Sequence, residues 1–293
     1  MTGPRPARKP VKLYWYPSGP FTQTRQSAMH PMVNIAVRAA RTAGSVIVRY
    51  LDRLDQLTVE NKGRNDFVSE VDRMAEAAII QVLRKAYPDH GILAEETGAE
   101  RRGDWLWVID PLDGTTNYLH GFPQFAVSIA VQHRGVTEAA VVYDPLRQEL
   151  FTAQRGGGAL LDGRRIRVSQ HRHLQDCLLG TGFPFREPHH LDAYLGMFRD
   201  LLAGCTDLRR AGAAALDLAY VASGRLDGFW EIGLKPWDMA AGALLIQEAG
   251  GMVADFSGGD DYLDTGNIVA AHPRICRALL DTLRPHLTET LRR

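Results

Sequence analysis

Asp110-Pro-Leu-Asp113-Gly-Thr-Thr places two carboxylates three residues apart in a turn, with Pro111 fixing one backbone angle between them. The turn follows an apolar, strand-like run from Trp105 to Ile109. Glu95 and Glu96 end an earlier short run, Ile92–Ala94, and Asp238 lies far downstream in Pro236-Trp-Asp. Acids placed where strands stop are positioned to converge at one edge of a sheet. Carboxylates gathered in this way cannot neutralise one another and favour hard cations. Mg²⁺ suits oxygen ligands of this kind and commonly works on phosphate substrates. Two ions roughly 3.5–4 Å apart, bridged by one acid, would clamp the attacking and leaving oxygens. Gly114 permits tight backbone geometry, and Thr115-Thr116 can open a helix whose first N–H groups seat a phosphate. Together these residues point to a metal-dependent phosphoryl hydrolase.

Asp-Pro and Asp-Gly are also ordinary turn formers, and Asp144-Pro145 and Asp162-Gly163 are read as turns only. What separates Asp110–Asp113 from them is the company of Glu95-Glu96 upstream and Asp238 downstream. An EF-hand loop would need alternating ligands and a distal Glu, which this turn lacks. The D-x-D-G-T motif of haloacid dehalogenases has one residue fewer between its acids, and its first Asp forms an aspartyl-phosphate. The extra residue here re-aims the second acid and removes that expectation.

The elements that must carry these acids are legible from periodicity. Ile35, Ala39, Val46, Tyr50 and Leu54 recur at helical spacing, predicting a helix up to about Leu54. A second is predicted over Asp72–Tyr87, stopped by Pro88. Short apolar runs follow at Ile92–Ala94, Trp105–Ile109, Phe125–Val131, Ala139–Tyr143 and Leu150–Ala153, predicting a largely antiparallel sheet beside two helices. Gly156-Gly-Gly158 reads as a hairpin turn, because no helix start follows it. From Cys177 onward strands and helices alternate: strands at Leu178–Thr181, Phe229–Ile232, Met252–Ala254 and Ile268–Ala271. The helices are expected around Leu191–Ala203, Ala213–Ser223, Met239–Ala249 and Pro273–Leu283. Asp238 would begin the Met239 helix as N-cap and metal ligand together. Trp105, Trp107 and Trp230 read as packing residues, His120 as a loop histidine and Arg209-Arg210 as a solvated charge pair. The fold class is α/β (α+β), with layers of both kinds.

Composition bounds the rest. The chain has 293 residues, 45% hydrophobic, with 34 basic and 34 acidic side chains. That is enough for one large domain or two lobes, and a zero formal charge gives no general case for nucleic-acid or membrane binding. No apolar run approaches the ~18 residues of a membrane span. Cys177, Cys205 and Cys276 lie far apart without C-x-x-C pairing, so reduced thiols in a cytoplasmic protein are expected. Residues 1–28 hold five prolines and several basic residues but no acid. They are expected to be a disordered extension, or a mis-assigned start with translation beginning at Met29 or Met32.

Glu95-Glu96, Trp107–Asn117 and Trp237–Gly242 resemble the inositol monophosphatase family, from about Met29 to the C-terminus. Asn65–Asp72, Ala214–Tyr220 and Glu231–Asp238 are similar to its bacterial SuhB-type branch. The resemblance implies a layered αβαβα sandwich of the sugar-phosphatase type, with lobes about 29–175 and 176–293. It implies roughly two or three Mg²⁺ ions per site. Glu95, Asp110 and the Leu112 carbonyl would hold the first ion, and Asp110, Asp113 and Asp238 the second. Glu95 and Thr115 would orient the attacking water, Asp72 would hold the water network, and Lys62 would sit in the entrance loop. Gly114 and Thr115 amides would bind phosphate, while the Ala214 backbone and Glu231 would read hydroxyls of the leaving alcohol. Lys235 stands where animal members carry a histidine near the inositol ring. The implied activity is lithium-sensitive hydrolysis of myo-inositol 1-phosphate or a similar polyol phosphate by a homodimer. Fructose-1,6-bisphosphatase activity, or a regulatory role with a protein partner in transcription or RNA processing, are the alternatives.

Overall fold

The computed structural model describes residues 31–56, 59–63 and 66–292. The proline-rich segment 1–28 and the Lys62 side chain lie outside the described residues. Helix α1 (Pro31–Tyr50) buries Val33, Ala36, Ala40, Ala43 and Ile47, which share one face at helical spacing. It stops short of Leu54: a 3₁₀ turn over Leu51–Gln56 takes over, and Arg53 there has non-helical dihedrals. A hairpin of β1 (Val59–Gly63) and β2 (Asp66–Ser69) leads into α2 (Glu70–Ala86). Ser69 and Asp72 form a reciprocal capping box at the start of α2, which fixes the Asp72 carboxylate against the helix head.

The first sheet contains β3 (Gly91–Ala94), β4 (Gly98–Glu100), β5 (Trp105–Asp113), β6 (Ala126–His133), β7 (Val136–Asp144), β8 (Glu149–Gln154), β9 (Gly158–Leu161) and β10 (Arg164–Arg165). Their spatial order is β10-β9-β8-β7-β6-β5-β3-β4, antiparallel throughout except for the parallel pair β3–β5. That parallel pair matters, because it brings the ends of β3 and β5, and so Glu95 and Asp110, to the same edge. Strand β5 runs on through the Asp110–Asp113 turn instead of ending at Ile109, with a register shift against β6 between the two acids. The short helix α3 (Thr115–Leu119) follows.

The second sheet holds β11 (Leu178–Thr181), β12 (Asp207–Arg209), β13 (Gly228–Glu231), β14 (Met252–Ala254) and β15 (Ile268–Ala271), in the order β12-β11-β13-β15-β14. Helices α4 (Leu191–Gly204), α5 (Ala214–Ala222), α6 (Pro236–Glu248), the short α7 (Tyr262–Thr265) and α8 (Pro273–Leu283) complete the chain. The α1–α2 pair covers one face of the first sheet, and α5–α6 lie between the two sheets. Helices α4 and α8 share a third apolar cluster with the outer face of the second sheet. These are the five αβαβα layers expected. Helix α6 begins at Pro236, where proline's fixed φ suits a first helical residue. Asp238 is therefore the third helical residue and not the N-cap, which corrects the boundary read from sequence.

The helix pair between the sheets is buried all round, and its axes approach closely at Gly242. A Cβ there would sit 2.5 Å from the Leu218 Cβ, an atom that cannot rotate away. Gly242→Ala is expected to cost about 1–3 kcal/mol of stability by overpacking, read as a lower urea midpoint with unchanged m-value. The Gly156–Gly158 turn closes β8–β9, and the protein's own Glu248 carboxylate fills it, accepting from Gly156 and Gly158 amides at 2.7 Å each. Trp107 and Trp230 are core residues, Trp105 stacks on His133, and His120 is exposed. Among the described residues, no helix is long and apolar enough to cross a membrane.

Candidate active site

The edge where β3 and β5 end opens into a cavity of about 320 Å³, walled on its far side by α5, α6 and the end of β13. Asp110, Asp113 and Asp238 reach it together, each with a carboxylate oxygen within 4.8 Å of the others, and all three are buried. Each is aimed by the backbone. Asp110 Oδ1 accepts the Leu112 amide at 3.0 Å, Asp113 Oδ2 accepts the Ala215 amide at 2.7 Å, and Asp238 Oδ2 accepts the Lys235 amide at 2.7 Å. Glu95, held by its own amide on the Ile109 carbonyl at 3.2 Å, lines the same cavity.

Gly114 is required where the chain leaves this turn. Its φ of +91° is left-handed, and a Cβ would meet the Gln124 carbonyl at 2.8 Å. One residue on, the Thr115 hydroxyl lies 2.8 Å from Asp72 Oδ1 and 3.1 Å from the Leu112 carbonyl. A hydroxyl has a single proton, and the nearer carboxylate is the stronger acceptor. The other Asp72 oxygen accepts from the Ser69 amide and hydroxyl at 2.8 and 2.5 Å. Asp72 thus stands buried behind Thr115, outside the cavity lining. Asn117 Nδ2 lies 2.8–3.1 Å from the carbonyls of Gln124, Ala211 and Gly212, tying the α3 loop to the loop that presents Ala214 and Ala215.

Glu231, the last residue of β13, closes the far wall. It packs on Gly182 so tightly that a Cβ there would lie 2.0 Å from Glu231 Oε1. Residues that the sequence did not mark also line the cavity: Phe183, Phe185, Arg186 and Leu234. Arg186 spans 4.0 Å to Glu95 and 3.8 Å to Asp238, and Arg210 lies over the Phe183 ring at 4.8 Å. The Arg209-Arg210 pair therefore divides: Arg209 pairs with Asp207 at the surface, while Arg210, although exposed, reaches the cavity wall. Lys235 is exposed at the head of α6 and does not line the cavity. A run such as Phe183-Pro-Phe-Arg186 carries no periodic or ligand-spacing signal, which is why sequence passes over it.

So many acids in one buried place are mutually destabilising. Burial first, then the charges of Glu95, Asp113 and Asp238, hold the Asp110 carboxyl well above the ordinary carboxylate range. Burial and Asp238 push Asp113 up to about 7, against a smaller opposing pull from amides and Arg186. Burial also raises Asp238, Asp72 and, strongly, Glu231 and Asp217. An all-oxygen donor set whose members are pushed toward the protonated form by burial, and for Asp110 and Asp113 also by neighbouring acids, is what a hard divalent cation fits.

A family model described as the inositol monophosphatase family matches residues 28–288. A relative from Pseudomonas aeruginosa named Nus factor SuhB is 58% identical over 271 residues, covering 90% of this chain and 100% of its own. The crystal structure of an extragenic suppressor protein SuhB from Bartonella henselae is 45% identical, with a TM-score of 0.86 over 88% of this chain and 100% of that one. An inositol monophosphatase from Anabaena is 39% identical, with a TM-score of 0.79 over 87% of this chain and 95% of that one.

Proposed function

The chain belongs to the inositol monophosphatase family, and from that premise we propose that it is a Mg²⁺-dependent phosphomonoester hydrolase releasing phosphate from myo-inositol 1-phosphate or a similar polyol phosphate. The observation that carries this is the convergence of Asp110, Asp113 and Asp238 in one buried cluster facing a cavity of small-molecule size. Glu95, Asp110 and the Leu112 carbonyl would hold one Mg²⁺, and Asp110, Asp113 and Asp238 a second. Such ions, when bound, polarise the phosphoryl group and make water a nucleophile near neutral pH.

The chain's own groups supply the rest. The Thr115 proton is committed to Asp72, so toward the attacking water its oxygen is an acceptor. Glu95, also an acceptor, would share that water and set its line of attack on phosphorus. Asp72 acts through Thr115 and is a positioning residue. Amides of Gly114 and Thr115 would receive phosphate oxygens. Glu231 and the Ala214 backbone, on the opposite wall, would take hydroxyls of the leaving alcohol. Water displaces that alcohol directly, with no covalent intermediate.

Arg186 and Arg210 at the cavity wall are the groups that would meet a second phosphate, so fructose 1,6-bisphosphate is the second substrate to rank. Phosphate release from both compounds, with and without Mg²⁺, tests the proposal. Mg²⁺-dependent turnover is expected, with inositol 1-phosphate the better substrate. Absence of turnover on both, with folded protein that binds Mg²⁺, would overturn it. A second function rests on a different observation: the relative at 58% identity is named a Nus factor. We propose that this chain also engages a protein partner in transcription or RNA processing. Its zero formal charge favours protein over direct RNA contact.

A further inference from the structure

The segment that leads from the acid cavity into α4 carries a second group of donors, chemically unlike the first. Glu187, His189 and His190 each place one ligand-type atom within 4.8 Å of the other two. All belong to one tight turn, closed by the His190 amide on the Glu187 carbonyl at 2.9 Å, with Pro188 fixing its first bend. The two imidazole rings lie 3.9 Å apart between centroids, and Glu187 Oε2 is 3.5 Å from His189 Nδ1.

His190 is the telling member. It is only 7% exposed, and its Nδ1 is buried with no hydrogen-bond partner. Leaving a buried polar atom unsatisfied is costly, so such atoms call for a partner. Burial, followed by the neighbouring His189, pulls its pKa below the ordinary value, which keeps the ring neutral and its lone pair available.

We propose that Glu187, His189 and His190 form a binding site for one transition-metal dication of the Zn²⁺ class, separate from the acid cavity. Two imidazoles and one carboxylate suit Zn²⁺ or Ni²⁺ better than Mg²⁺, which prefers oxygen. A bound ion would give the buried ring a partner. Its place gives it reach. Glu187 adjoins Arg186, which lines the cavity, and its stem packs so close to Gly233 that a Cβ there would lie 3.0 Å away. An ion on this turn would therefore fix the segment that carries Arg186.

The test is calorimetric titration of Zn²⁺ into full-length protein held in saturating Mg²⁺, which keeps the acid cavity occupied. One equivalent is expected to bind. Co²⁺ under the same conditions should show the absorption bands of an imidazole-ligated ion. His189 is exposed and Glu187 half-buried, and glutamine keeps the Glu187 stem, so His189→Ala and Glu187→Gln should fold normally, as far-UV circular dichroism would verify. Each is expected to weaken the equivalent by at least about tenfold and His189→Ala to change the Co²⁺ spectrum. No Zn²⁺ retained against Mg²⁺ would overturn the proposal. So would an equivalent that both variants leave unmoved, including one lost instead in His171→Ala, since His171, Cys177 and Asp227 form the other mixed cluster.

Discussion

Asp110→Asn is expected to lower Mg²⁺-dependent phosphate release by at least about 10³-fold while raising the melting temperature of the cation-free protein. The two effects have one cause. Asparagine keeps the oxygen that accepts the Leu112 amide at 3.0 Å, so the turn retains its shape. What disappears is an ionisable group, buried among Glu95, Asp113 and Asp238. With a cation bound, its carboxylate is the shared ligand of the proposed set, and even residues behind metal ligands are worth about 10–100-fold. Without a cation the carboxyl must stay protonated well above its ordinary range, because burial and its acidic neighbours disfavour the charge, and asparagine removes that cost. About 1 kcal/mol of relief corresponds to roughly 2–4 °C in a chain somewhat smaller than this one. Phosphate release, Mg²⁺ calorimetry and scanning fluorimetry in chelator measure the three quantities. Lost activity with undiminished Mg²⁺ affinity and an unchanged melting point would remove Asp110 from the proposed ligand set. The same variant separates the two proposed functions: rescue of a cellular deletion phenotype by it would assign that phenotype to the partner role.

The second large effect is a divergence with pH between cation-free and Mg²⁺-saturated protein. Asp113 titrates near 7 when folded, pushed up chiefly by burial and then by Asp238, against about 4 in an unfolded chain. Below about pH 4 both states are protonated, and the site carries no penalty. Between about 4 and 7 the unfolded chain gives up its proton while the folded one keeps it. Cation-free stability should therefore fall by up to about 1.4 kcal/mol per pH unit for each such group. Asp110 and Glu231, also raised by burial and neighbouring acids, add to the loss in the same direction. Mg²⁺ takes the deprotonated cluster, so its affinity should climb as pH rises, up to about tenfold per unit for each proton released. Melting curves from pH 5 to 8 in chelator and in saturating Mg²⁺ should spread apart. Parallel curves would mean that protons and Mg²⁺ do not share this site.

Much of this was legible in the residues. The strand runs ending at Ala94 and Ile109 needed only apolar spacing, and the parallel pairing of β3 and β5 then made their terminal acids neighbours. Helix α2, expected over Asp72–Tyr87 and stopped by Pro88, starts two residues earlier at Glu70, where Ser69 caps it. Local pattern failed where tertiary contacts decide. Helix α1 tightens at Leu51, and α6 opens at Pro236 because proline suits a first turn better than Asp238 suits a cap. Arg186 and Arg210 were invisible as cavity residues, since nothing in their spacing ties them to acids many residues away. The Glu187–His190 turn gave no signal for a similar reason: it is the burial of His190 that singles it out.

The bonds that complete the cavity have an unusually long reach along the chain. Asp113 accepts from an amide 102 residues later, Asn117 bonds a carbonyl 95 residues away, and Ser128 holds one 109 residues away. Contacts of such separation form late, because loop closure must be met before they give anything back. During synthesis the first sheet and its two helices emerge well before α5 and α6. Until they arrive, Asp110 and Asp113 lack Asp238 beside them and the Ala215 amide that aims one of them. A partly made chain thus passes through a stage with native-like strands but only part of the proposed donor set, and an ion that needs Asp238 can reward only the finished product.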